Sequence, residues 1–214
     1  MVSIYLEVKF MSIISVTTSL FFVLNALGNV PFFVGILSSY SVKKQRRIIV
    51  REMLIALGFL VCFNFFGNEI LKVLGIDQCV VGIAGGTLLF LIALDMVFAR
   101  ISGTRSTTSE QEEAKKREDI SVFPLAFPFI AGPGALATIL LAAGEVGAKP
   151  LLFASFLGVV ALVLAVCWVL MLATPRLMRA LGVTGANVVS RLSGVILAAL
   201  AVQFIIDGIR GSFL

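Results

Sequence analysis

Histidine is absent from this 214-residue chain, and Asp, Glu, Lys and Arg together make up only 14% of it. Without imidazole the chain lacks the commonest metal ligand and the commonest proton shuttle near neutral pH. Its three cysteines, Cys62, Cys79 and Cys167, are dispersed, odd in number and set in apolar context. They read as small hydrophobes rather than as a disulfide framework or a metal set. With no histidine and no evident Ser–Lys or paired-Asp constellation, neither an enzyme nor a resident cofactor is expected. The scarcity of charge also excludes an ordinary soluble domain, which is about a quarter charged. A basic n-region and a convincing cleavage pattern are missing from MVSIYLEVKF, so the first apolar stretch is expected to be retained.

What is abundant is apolar sequence, 59% of all residues, gathered into long runs between short charged segments. About 20 apolar residues cross a bilayer as helix. Six runs qualify, near residues 12–38, 48–67, 79–98, 120–143, 150–173 and 187–209. The fold class expected is therefore an all-α membrane protein of six transmembrane helices, with the lipid bilayer as its main partner. The one long polar segment, 100–119, carries mixed charge without an apolar face and reads as a solvated linker. It separates a three-helix half at 1–99 from another at 120–214.

The net charge of +5 is a matter of orientation here, and no nucleic-acid partner is expected. Thirteen Lys and Arg residues fall in the first, third and fifth loops and four on the other side. The positive-inside rule then makes those three loops cytoplasmic and puts both termini outside.

Two apolar runs are interrupted near their middle by helix breakers. LNALGNVPFF (24–33) contains Asn25, Gly28, Asn29 and Pro31; FPLAFPFIAGPGALAT (123–138) contains Pro124, Pro128, Gly132, Pro133 and Gly134. An unpaired backbone group in lipid costs several kcal/mol, so a break survives only inside protein or beside a water-filled cavity. The breaks recur at Gly28 and Gly132, and KVLGID (72–77) is echoed by RALGVT (179–184). GIAGGTLLFLIAL (82–94) aligns loosely with RLSGVILAALAVQ (191–203). Because each half holds an odd number of spans, the halves must be inverted relative to each other. First and fourth helices that are broken, in two inverted repeats, point to a transporter whose small-molecule substrate binds at the breaks.

Pro133–Gly134 suits a helix restarting after a break, because proline lacks the N–H that would be unpaired there. The N–H groups of about Gly134 to Ala137, with the helix dipole, would suit a carboxylate. Pro31 would do the same for Phe32, Phe33 and Val34. Asn25 and Asn29 offer amide groups either to a substrate ammonium or to backbone freed by the break. Asp95 and Arg191 are read first as an ion pair and second, for Asp95, as a coupling site. The coupling cation is left open between sodium and proton. Gly82, Gly85 and Gly86 form a smooth helix face, with a GxxxG spacing that suits close packing and is compatible with a homo-oligomer.

LNALGNVPFF, FPLAFPFIAGPGALAT and the Gly-rich third helix together resemble the MarC family of bacterial integral membrane proteins, over essentially the whole chain. The family's name derives from an association with multiple antibiotic resistance. Members resembling this chain include transporters of small neutral amino acids such as glycine and alanine. The resemblance therefore implies a transporter of that substrate class in a bacterial inner membrane. Export of drugs or other small metabolites is the nearest rival, and a nontransporting assembly or sensory protein is a further one. One departure stands at the first break, where the family pattern begins Asp-Pro and this chain has Asn25 and Ala26. If that acid binds a coupling cation or an ammonium, Asn25 offers a dipole in its place.

A cysteine introduced into 100–119, with the three native cysteines replaced, tests the orientation. It is expected to react with a membrane-impermeant thiol reagent only when the cytoplasmic face is opened; labelling of intact cells would reverse the topology.

Overall fold

The computed structural model describes residues 16–26, 28–37, 40–99, 120–146 and 150–213, and the linker 100–119 lies outside them. Regular structure among the described residues is entirely helical. A short helix α1 at 16–24 is followed by α2 (Val30–Leu37), α3 (Val42–Leu74) and α4 (Gln78–Val97). Beyond the linker come the π-helical α5 (Ser121–Ile130), α6 (Pro133–Val146) and α7 (Pro150–Phe213). Among the described residues, four stretches are long and apolar enough to cross a membrane: Val42–Leu74, Gln78–Val97, Ala154–Arg176 and Met178–Phe213. They correspond to the second, third, fifth and sixth apolar runs. The first and fourth runs are instead divided, α1 from α2 and α5 from α6.

Three elements differ from what hydropathy suggests. Helix α3 has 33 residues, roughly 50 Å at 1.5 Å per residue, against the 20-residue core of the run. Its first turns are the basic KKQRR segment, whose straight side chains favour helix. It ends at Gly75, where a left-handed φ of 66° lets Gly75 N–H and Ile76 N–H donate to Lys72 O and Leu71 O. The second difference is the stretch between the fifth and sixth runs, which is helical rather than a loop. Only Gly182 leaves helical geometry, at φ 63° and ψ −178°, a conformation nearly confined to glycine. The third is the wide winding of α5. Pro124 and Pro128 both lack an N–H for the α-helical ladder, and Ala131 N–H donates five residues back, to Ala126 O at 2.8 Å. Such π segments commonly relieve this kind of interruption.

The break between α1 and α2 is closed by its own asparagine. Asn25 is one of two described non-glycine residues with positive φ, 51°. Asparagine tolerates this conformation because its short side chain bonds locally. Here Asn25 Oδ1 accepts from Gly28 N–H at 3.2 Å, and Asn25 Nδ2 donates to Met96 Sδ of α4 at 2.8 Å. Asn29 Nδ2 donates to Leu24 O at 3.4 Å, reaching back across the break.

Helix α4 is the packing centre. Its glycines lie against the last part of α7, running antiparallel to it. A Cβ on Gly86 would stand 2.7 Å from Ala201 O, and one on Gly82 would stand 3.4 Å from Phe204 O. From the other side, a Cβ on Gly208 would stand 2.6 Å from Cys79 O and one on Gly194 3.1 Å from Ala93 O. Against α6 the fit is of the same kind: Gly85 receives Ala137, and Gly134 receives Leu89. Small residues allow this backbone approach, which in lipid replaces the hydrophobic drive that holds soluble helices together.

Two substitutions test these contacts by thermal unfolding of the purified protein. Gly86→Ala is expected to cost about 1–3 kcal/mol through overpacking against backbone, whereas Gly58→Ala, with nothing within 4 Å, should be neutral or stabilising by up to about 1 kcal/mol. Asn25→Ala should cost roughly 2 kcal/mol from left-handed strain and the lost acceptor, with Asn25→Gly costing less. Equal losses for Ala and Gly at position 25 would show that its φ is unimportant.

Candidate functional site

The two breaks lie against the same face of α4. Gly28 meets Met96, Gly134 meets Leu89, and these two α4 residues are two helical turns apart, about 10 Å. One helix thus receives both breaks along its length. The first break is deeply buried, with Asn25 and Asn29 only 4% and 2% exposed. Its freed backbone is met from α7, where Ser190 Oγ donates to Gly28 O at 2.9 Å. At the second break Ala131, Gly132 and Gly134 are buried and Pro133 is partly exposed.

The helix ends offer fewer donors than proline placement suggests. Phe33 N–H donates to Asn29 O at 3.0 Å and Leu136 N–H to Gly132 O at 3.0 Å, so each ladder starts one turn into its helix. Phe33 and Val34 at one end, and Leu136 and Ala137 at the other, are therefore not the anion donors that were expected. Within the helices themselves, Val30 and Phe32 at one end and Gly134 and Ala135 at the other carry N–H groups ahead of the ladder. A helix start leaves its first N–H groups without intrahelical partners, but Pro31, second in α2, and Pro133, first in α6, have no N–H to offer. Thr138 Oγ donates to Gly134 O at 2.8 Å and so turns inward on its own helix.

Asp95 and Arg191 belong to adjoining ends of the α4–α7 pair, because Gly194 packs on Ala93, Met96 and Val97. Asp95 is half-buried and Arg191 is exposed. No three His, Cys, Asp or Glu side chains converge among the described residues.

Sequence reading missed four groups. Glu52 is wholly buried in α3, and both its oxygens lack a hydrogen-bond partner; Asn64, on the same buried face, is 4% exposed and also unpartnered. Glu52 follows Arg51 and so looks like the end of a basic loop. The signal that finds it is the spacing of Ile48, Ile49, Met53, Ala56 and Leu60, which puts position 52 on the buried stripe. Ser190 and Met96 reach the first break from 162 and 71 residues away, and no local pattern marks them.

A cavity of about 450 Å³ opens where α2, the start of α3 and the middle of α7 meet. Phe33, Ile49 and Met171 are among its apolar walls, and Arg46, Arg176 and Arg179 supply its charge. Gln45 also lines it and fixes the end of α2, donating to Leu37 O and Tyr40 O at 2.9 Å each.

The profile described as MarC family integral membrane protein matches residues 10–213. The UPF0056 inner membrane protein YhgN of Escherichia coli (strain K12) is 37% identical over 202 residues, covering 92% of this chain and 96% of that protein. A UPF0056 membrane protein of Methanocaldococcus jannaschii is 37% identical over 201 residues, covering 92% and 95%. The UPF0056 membrane protein YvbG of Bacillus subtilis (strain 168) is 35% identical over 206 residues, covering 95% and 97%. No solved structure matches the chain. Four membrane-length helices, two divided apolar segments packed on α4, and similarity along nearly the whole length all agree: the chain belongs to the MarC family of integral membrane proteins.

Proposed function

We propose that the chain is a secondary transporter of small neutral amino acids, of glycine or alanine size, in a bacterial inner membrane. Two inverted three-helix halves, 1–99 and 120–214, would give six spans and alternating access, with both termini outside and 100–119 cytoplasmic. The observation that carries the reading is the pairing of two helix breaks on one face of α4. Broken helices in corresponding positions of two repeats are where such transporters bind substrate. The antiparallel packing of α4 on the last part of α7, the third helices of the two halves, supports the inversion.

In this reading the substrate carboxylate meets the N–H groups at Gly134 and Ala135, beside Gly132 and Pro133. A positive helix terminus there favours an anion without needing an arginine. Asn29 and carbonyls of the first break, around Gly28 and Pro31, face the ammonium group. Asn25, whose amide groups are engaged by Gly28 and Met96, holds the turn in shape.

The cavity of about 450 Å³ with its arginines favours a second reading, export of a larger amphipathic metabolite or drug. The plugging of the first break by Ser190 and Asn25 would suit a nontransporting assembly or sensory protein.

Purified protein in liposomes is expected to take up labelled glycine or alanine with saturation. Saturable transport absent under sodium gradients, proton gradients and neither would overturn the amino-acid reading, and uptake of larger metabolites in its place would favour the exporter.

A further inference from the structure

Glu52 lies in a membrane-length helix, is 0% exposed, and neither of its oxygens has a hydrogen-bond partner. Carboxyl groups buried within membrane-length helices are expensive and are a mark of ion and proton pathways. Around it the chemistry is bare. The described side chains of α2, α5 and α6, all close to α3, bring no charged group. From α7 come Cys167, buried in the core, and Arg176 and Arg179, which line the cavity. On α3 itself Arg46 lines the cavity, while Lys43, Lys44, Arg47 and Arg51 are exposed. Ile49, which forms part of the cavity wall, precedes Glu52 by three residues on the same buried stripe. That is about 4.5 Å along the helix axis. The basic-rimmed cavity therefore ends roughly one turn short of the carboxyl.

We propose that Glu52 is a proton-carrying site, loaded and unloaded through the cavity lined by Arg46, Ile49, Arg176 and Arg179. Sodium is a poor match, because a hard cation stripped of water needs several oxygen ligands and this site offers one carboxyl group. A proton needs only that group. On loading, the carboxylate takes a proton from cavity water and becomes the neutral acid; on release, it returns the proton to water and regains its negative charge. A bare carboxylate among apolar side chains is costly unless paired, so the charged form favours the conformation in which the Ile49 turn opens to water. The two forms thus prefer different conformations, as coupling requires. This deepens the transport reading and rests on it for the coupling, though not for the proton site itself.

Two measurements on the full-length reconstituted protein test the proposal. The first needs no substrate. The infrared carbonyl stretch of a buried carboxylic acid is expected to vanish on alkaline titration of the wild type and to be missing from Glu52→Gln. A wild type without a titrating band, or a band that persists in Glu52→Gln, overturns the proposal. In the second, Glu52→Gln should keep downhill exchange of labelled alanine and lose accumulation driven by a pH gradient, with Glu52→Asp restoring part of it. Gradient-driven accumulation retained in Glu52→Gln overturns the coupling role. If the wild type moves neither glycine nor alanine while the band still titrates, the amino-acid reading falls and the proton site stands.

Discussion

Every backbone N–H and C=O placed in hydrocarbon must find its partner within the protein, and the architecture follows from how the two divided segments meet that demand. At the first break side chains supplement the backbone bonds of Asn25, Asn29 and Phe33 N–H. Asn25 accepts from Gly28 N–H, Asn29 reaches back to Leu24 O, and Ser190 arrives from the other half to donate to Gly28 O. At the second break Ala131 N–H donates to Ala126 O and Leu136 N–H to Gly132 O, and the Thr138 hydroxyl donates to Gly134 O. Each solution leaves a short helix whose first turn points into protein rather than lipid.

The α4–α7 contact works on a different principle. Glycines from both helices bring backbone against backbone, at Gly82 and Gly86 on one side and Gly194 and Gly208 on the other. Leu89 and Met96 of α4 then fill the spaces beside Gly134 and Gly28. One helix thus serves both as the seam between the halves and as the wall on which both breaks rest. This double duty ties the spacing of the breaks to the helical repeat of α4.

Much of this was legible in the residues, and the exceptions have physical causes. Proline and glycine mark the breaks because they act on their own backbone, and apolar runs mark spans because lipid imposes length. The Gly-rich character of α4 likewise announces close packing. What stayed hidden acts at a distance or against local appearance. Ser190 looks like an ordinary helix serine until Gly28 O is seen beside it. Glu52 is masked by the basic run just before it, and only the phase of α3 reveals its burial. The donor count at α2 and α6 was overestimated, since Phe33 and Leu136 already bond to Asn29 and Gly132. The helical course between the fifth and sixth runs escaped notice because a single glycine, Gly182, accommodates the whole departure.

Contacts between glycine backbones also have a mechanical meaning. Side chains that interdigitate can change rotamer and let two helices slide by small steps. Gly86 against Ala201 O and Gly208 against Cys79 O leave no such slack, since the touching atoms belong to the helices' own frames. Sliding of α4 along the last part of α7 would have to drive backbone against backbone. The divided segments differ, because the helical ladder is interrupted there at 25–26, 28–29 and 131–132. Close backbone contact is thus concentrated along α4, while the helical ladder is interrupted in the segments that rest on it and at Gly182.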